Sequence, residues 1–188
     1  MDYSNYLTLY SGGADSTYFI EREKSARYLI HFEGRNAEQT KVALVNSNLL
    51  ERHMTIVKND VGLVGAMRDG ETNAIHALYD TEMALHASIT AVSFGLKGIV
   101  MCFNGDDMGI EVGAIEQIMR KVEPDFKLLV PLKSTSRADI KSALEHSELH
   151  YISCMHSDNC GFCAKCIREG KSAKRFAVTS EALVSDRV

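Results

Sequence analysis

Residues 11–16 read Ser11-Gly12-Gly13-Ala14-Asp15-Ser16 and lie between an apolar run, Tyr6–Tyr10, and a helix-like stretch, Ser16–Ser25. A strand that ends in a glycine turn and opens directly into a helix is the first unit of an α/β fold. The pattern then repeats. Tyr6–Tyr10, Arg27–Phe32, Met54–Lys58, Gly98–Phe103 and Lys127–Val130 read as strands, and Ala37–Leu50, Ala74–Phe94 and Val112–Lys121 read as helices between them. This alternation predicts a doubly wound parallel sheet with helices on both faces and ligands at the carboxyl ends of the strands.

The long helix Ala74–Phe94 brings Ile75, Leu78, Met83, Ala87 and Ala91 close to one face, which predicts core packing. Its His76 and His86 read as polar edge residues. Ser136-Arg137-Ala138-Asp139 has capping-box spacing for a helix after Pro131, with Asp in the place of the usual Glu or Gln. Ala164–Ala177 reads as the last helix, and Asp60–Asn73, broken by Gly62, Gly65, Asp69 and Gly70, as a loop beside the ligand.

With 188 residues, 45% of them hydrophobic, the chain is long enough for one good core. The expected division is an α/β domain over 1–150 and a loop with a terminal helix over 151–188, packed on the same domain. No run reaches the roughly 18 apolar residues of a membrane span. No basic segment leading into an apolar one precedes the first strand, so no leader is expected and the cytoplasm is the simplest location. The formal charge of −4 gives no general pull toward nucleic acid or anionic membranes.

The loop itself suits a polyanion. Main-chain amides and the positive end of a helix converge on one spot, Gly12 and Gly13 can take positive φ, and Ser11 and Ser16 add hydroxyls. Asp15 can cap the helix or face a Mg²⁺ ion held by phosphate oxygens. No Lys-Ser/Thr pair follows the glycines, so this is not a Walker loop. A pyrophosphate cradle without that lysine fits a reaction in which pyrophosphate leaves and AMP passes to the substrate.

Cys154, Cys160, Cys163 and Cys166 follow a C-x5-C-x2-C-x2-C spacing. Such a cluster in a chain without secretory features favours a metal over disulfides, and four thiolates fill the coordination sphere of a structural Zn²⁺. His156 can stand in for Cys154. Cys102, in an apolar stretch, reads as a small buried hydrophobe. Arg168, Lys171 and Arg175 share a face of the last helix with Lys165 and Lys174 nearby, either a solvated surface or an approach to a phosphate-bearing partner.

The Ser11–Ser16 loop resembles the SGGxDS signature of the PP-loop, or N-type, ATP pyrophosphatase superfamily, whose fold is the adenine nucleotide alpha hydrolase-like (HUP) domain. Together with the cysteine cluster it resembles the QueC family, the 7-cyano-7-deazaguanine synthases, through most of the chain. Phe32–Gln39 is similar to the tract after that family's second strand, with Arg35 in the place of its arginine. Asn104-Gly105-Asp106-Asp107-Met108-Gly109 is similar to the end of its fourth strand. Val130-Pro131-Leu132 and Arg137-Ala138-Asp139-Ile140 resemble its Pro-Leu and Lys-x-Glu-Ile, and Cys160-Gly161-Phe162-Cys163-Ala164-Lys165-Cys166 its zinc motif. The match departs where the deazaguanine sits. The family's Arg-Asn pair has no counterpart near Asp80–Met83, and Ile110-Glu111-Val112 replaces its Tyr-Pro-Asp.

The resemblance implies an ATP-dependent C–N ligase that adenylates a carboxylate, 7-carboxy-7-deazaguanine or a relative, which ammonia or an amine then attacks. The implied ligands are ATP, Mg²⁺ and Zn²⁺. Ser11, Gly12, Gly13, Ala14, Asp15 and Ser16 would hold the pyrophosphate, and adenine would stack around His31 and Phe32 near Arg35. Lys133 and Arg137 would neutralise phosphate charge. Of Asp106 and Asp107, the family match favours Asp107 for metal or the acceptor amine. QueC-like proteins also occur in antiphage operons, which implies a possible protein partner; a homodimer is compatible. RNA thiolation and a non-catalytic nucleotide-binding module are the competing classes.

Overall fold

The apolar runs become strands β1 (Leu7–Leu9), β2 (Tyr28–Phe32), β3 (His53–Val57), β4 (Gly98–Met101) and β5 (Lys127–Leu129) in the computed structural model, which describes residues 1–34, 36–58, 73–104, 112–154 and 166. Between and after them run helices α1 (Ala14–Arg22), α2 (Ala37–Leu49), α3 (Asn73–Ser93), α4 (Val112–Met119) and α5 (Arg137–Leu144). The elements with predicted spans lie within a residue or two of them, except that α1 ends three residues before Ser25. The helix expected at Ala164–Ala177 and the loop at 60–72 lie outside the described residues.

All strand pairings are parallel, in the order β3-β2-β1-β4-β5. Right-handed crossovers explain the layering. The chain moves one way from β1 to β3, which puts α1 and α2 on one face. It then returns past β1 to β4 and β5, which puts α3 and α4 on the other. The helix α5 comes back to the first face against α1. The winding direction therefore changes between β1 and β4, and a crevice opens at their carboxyl ends.

Both faces are dry. Leu7, Ile30, Ile99 and Met101 meet α3 and α4, while Tyr10, Leu29, Val100 and Cys102 share a second cluster with Phe19 and Ile140. Strands covered on both faces read as continuous apolar runs. Gly98 lets β4 start hard against β5, where a side-chain carbon would collide with the Lys127 carbonyl oxygen.

The packing face of α3 matches the expected one at Ala87 and Ala91 and departs from it at Leu78. Ala84, Ala87, Ser88 and Ala91 are buried, whereas Leu78 is 60% exposed. These four positions follow i, i+3, i+4, i+7 spacing, and Leu78 points about 120° away from Ala84 around the helix. Small residues win this face because they let the helix approach the sheet closely. Ser136 caps α5 as its spacing predicts, accepting from the Asp139 amide at 3.1 Å and donating to the Asp139 carboxylate at 2.7 Å.

Candidate functional site

Residues Ser11–Gly13 turn the chain from the carboxyl end of β1 into α1. Gly12 takes φ +75°, and a side-chain carbon there would stand 2.6 Å from the Gln39 carbonyl oxygen of α2. Only glycine satisfies both conditions. Gly13 is the N-cap of α1 at φ −84°, so the positive angle expected for both glycines belongs to Gly12 alone. Lacking a side chain, Gly13 cannot accept from the first-turn amides, and the positive helix end faces the crevice uncapped by it. The Ser11 hydroxyl accepts from the Gly13 amide at 3.2 Å and lies 3.1 Å from the Ser16 hydroxyl, which donates to the Gly13 carbonyl at 3.3 Å. The two serines thus hold the turn closed from within.

Asp15 stands in the first turn of α1 and does not cap it. Its carboxylate accepts from the Asn104 side-chain amide at 3.3 Å. Asn104, 2% exposed, follows β4. This contact bridges the crevice between the β1 and β4 ends and fixes where the negative charge sits. Cys102, two residues earlier, is buried; burial and the nearby Asp15 charge push its thiol well above the ordinary value. It stays protonated, as a core thiol rather than a nucleophile.

Beneath the loop, Tyr10, Thr17 and Asn46 tie β1, α1 and α2 together. The Tyr10 hydroxyl accepts from Asn46 at 2.6 Å and shares a hydrogen bond with Thr17 at 3.2 Å; its burial pushes the phenol up to about 12. The His31 side chain belongs to this support. It is 2% exposed, with Nδ1 2.8 Å from the Tyr10 carbonyl and Nε2 2.9 Å from the Thr40 hydroxyl. A carbonyl can only accept, so the proton is on Nδ1 and Nε2 accepts from Thr40. The ring is held inside the fold because odd-numbered residues of β2 point toward α2, which leaves to main-chain groups the expected reading of adenine around His31 and Phe32. Phe32 points the other way, half-buried, with the His86 ring edge-on at 5.4 Å.

Desolvation lowers the His31 pKa, so the folded protein keeps the ring neutral where the unfolded chain would protonate it. The stabilising contribution is complete above the unfolded value near 6.5 and is lost as pH falls below it, by at most about 1.4 kcal/mol per pH unit for one proton. Unfolding free energies measured between pH 7 and pH 5 should fall less steeply for His31→Gln than for the unmodified chain. Parallel slopes would show that the ring is not a buried neutral group.

Lys133 stands on the connection from β5 to α5 and Arg137 opens α5, both following the carboxyl end of β5, which β4 separates from β1. Lys133 is exposed and Arg137 half-buried. Among the expected ligands of a metal, Cys154 is buried in a cluster with Val42 and Ile152, and Cys166 packs against it. Arg35, Asp106, Asp107, His156, Cys160, Cys163 and the basic residues of the last helix lie outside the described residues. Among the described residues, no three His, Cys, Asp or Glu side chains stand close enough to hold a metal ion.

Sequence reasoning passed over the carboxamides of α2. Asn36 Nδ2 donates to the Cys154 carbonyl at 2.8 Å, Gln39 Nε2 to the Ile152 carbonyl at 2.8 Å, and Asn46 Nδ2 to the His150 carbonyl at 2.7 Å. Ile152 in turn donates its amide to the Gly12 carbonyl at 2.9 Å. The available signal was an uncharged polar row, 36, 39 and 46, on a helix face that should otherwise be apolar.

No protein-family model and no curated protein matches the sequence. Among solved structures, the chain is similar to the U34-tRNA thiolase NcsA from Methanococcus maripaludis with its 4Fe-4S cluster, at 14% identity and a TM-score of 0.50 over 79% of this chain and 58% of that one. It is also similar to a predicted subunit of tRNA methyltransferase from Methanocaldococcus jannaschii (15% identity, TM-score 0.48, 74% of this chain and 73% of that one). A third is the NMN synthetase from Francisella tularensis (11% identity, TM-score 0.47, 74% of this chain and 60% of that one). The chain thus spans less than two thirds of the thiolase's length. At 14% identity the likeness to the thiolase shows the fold alone, a parallel five-stranded α/β sheet.

Proposed function

We propose that this protein transfers AMP from ATP to an acceptor carboxylate, releasing pyrophosphate, and that ammonia or an amine displaces the AMP to form a C–N bond. The carrying observation is the turn at Gly12, whose φ of +75° presents the uncapped end of α1 at the strand switch point. In this reading the Gly13–Ser16 amides and the Ser11 and Ser16 hydroxyls bind the β- and γ-phosphates. They stabilise the charge that grows on pyrophosphate as the α-phosphorus is attacked. Asp15 supplies a carboxylate suited to Mg²⁺ in the first turn of α1, where it accepts from Asn104 at 3.3 Å. That ion would neutralise phosphate charge during departure. Phe32 offers an apolar surface for adenine, Lys133 and Arg137 would neutralise phosphate charge, and the family resemblance gives Arg35 to the nucleotide and Asp107 to metal or the acceptor amine. The acceptor in this reading is 7-carboxy-7-deazaguanine or a relative, acting in the cytoplasm, in a queuosine-type pathway or with a defence partner.

Cys154, Cys160, Cys163 and Cys166 form a donor set suited to a closed structural zinc site. A second reading, RNA thiolation, is favoured by one observation: the U34-tRNA thiolase of like fold carries a 4Fe-4S cluster. The two part on metal content and on products. Mass spectrometry after incubation with ATP, Mg²⁺, ammonia and 7-carboxy-7-deazaguanine should give AMP and pyrophosphate in equal amounts together with an aminated product. ADP and phosphate would overturn adenylation, and bound iron with sulfur transfer to tRNA would replace the ligase reading by the thiolase one.

A further inference from the structure

Residues 150–154 run along α2 from its carboxyl end toward its amino end. The Asn46 amide group both donates to the His150 carbonyl and accepts from the His150 amide, Gln39 meets the Ile152 carbonyl, and Asn36 meets the Cys154 carbonyl. From Asn46 back to Asn36 the helix advances about 15 Å, and an extended chain from His150 to Cys154 advances about 13 Å. Three carboxamides can therefore engage alternate residues of an extended strap, much as a neighbouring strand would.

The middle of this strap touches the nucleotide loop. The Ile152 amide donates to the Gly12 carbonyl at 2.9 Å, Gln39 Nε2 donates to the Ile152 carbonyl at 2.8 Å, and the Gln39 backbone oxygen occupies the space where a Gly12 side chain would begin. Gly12, Ile152 and Gln39 close a ring of contacts. In a trans peptide the carbonyl and the following N–H point to opposite sides. Drawing the Gly12 carbonyl toward the strap turns the Gly13 N–H away from it, to the side where the Ser11 hydroxyl stands and where an anion would bind.

Building on the ATP-binding reading above, we infer that Gln39 is a positioning residue for the nucleotide loop. Through Ile152 it holds the Gly12–Gly13 peptide in its anion-binding orientation and so links docking of the His150–Cys154 strap to nucleotide binding. The strap keeps other anchors, namely Asn36, Asn46 and the buried Val42, Ile152 and Cys154 side chains. Loss of the Gln39 donor therefore loosens the peptide's orientation more than it undocks the strap. Linkage is reciprocal: if the docked strap favours ATP, ATP favours the docked strap.

The test is MgATP binding to the full chain by calorimetry. Gln39→Met keeps the side chain's length without its donor and should bind MgATP about three- to tenfold more weakly, the effect of one hydrogen bond, with an unchanged circular dichroism spectrum. A second measurement needs no variant: MgATP should slow hydrogen exchange at the Ile152 amide of the unmodified protein, although that amide faces away from the ligand. Protection beyond that of core amides, which bound ligand slows only through global stability, is what a purely structural glutamine would not produce. Equal affinity of Gln39→Met and the unmodified chain, or Ile152 exchange indifferent to MgATP, overturns the inference while leaving ATP binding intact. Absence of MgATP binding by the unmodified chain overturns the ATP reading itself and this inference with it.

Discussion

Gly12→Ala should remove ATP-dependent AMP formation, by about 10²- to 10⁴-fold, in a protein that still folds. Two independent effects meet at this residue. Its φ of +75° is strained for any residue with a side chain, and the added carbon would sit 2.6 Å from the Gln39 carbonyl oxygen, a rigid backbone atom of α2. The strain is of order 1–3 kcal/mol, and the chain relieves it by moving the loop, not by rebuilding the helix. Loop movement costs the aligned amides. Each hydrogen bond to a charged group is worth about 1.5–3 kcal/mol, and two of them account for the expected range at about 1.4 kcal/mol per tenfold. The measurement is pyrophosphate release at saturating ATP, with a thermal melt beside it. Gly113→Ala serves as the control, since nothing lies within 4 Å of its would-be side chain and it falls inside α4. It should melt slightly higher and turn over normally. A fully active Gly12→Ala would mean that the loop's conformation has no part in the reaction.

The parts of this architecture that could be read from sequence are those written in local chemistry. The glycine turn between an apolar run and a helix located the crevice, and Ser136 announced α5 through its spacing to Asp139. What stayed hidden depends on contacts between distant segments. Asn36, Gln39 and Asn46 look like ordinary surface positions until the strap at 150–154, more than a hundred residues away, is laid against them. His31 sits at the end of a strand, where ligands bind, and only the inward direction of odd-numbered β2 residues reveals that Thr40 and the Tyr10 carbonyl consume both its nitrogens. Leu78 satisfies an apolar pattern, yet the sheet selects the alanine face of α3 because close approach outweighs side-chain size there.

Asp15→Asn discriminates between the two physical roles open to an acidic residue in the first turn of a helix. A carboxylate there favours the helix dipole by about 0.3–1 kcal/mol when exposed. If that were its whole contribution, the variant would melt slightly lower and react at the normal rate. The contact with Asn104 points elsewhere. A buried amide from the end of β4 reaches one carboxylate oxygen at 3.3 Å and ties the side chain to the crevice between β1 and β4. The expected result is a loss of about 10²- to 10³-fold in AMP formation, the scale seen when one electrostatic stabiliser of a transition state is removed. The Mg²⁺ concentration needed for half-maximal rate should rise, and the melting temperature should stay nearly constant. Asn104→Ala keeps the charge and loses only its orientation, so its defect should be smaller and should show the same shift in Mg²⁺ dependence. Should Asp15→Asn slow turnover without changing the Mg²⁺ requirement, the carboxylate would act on the acceptor or the loop amides instead of on the ion.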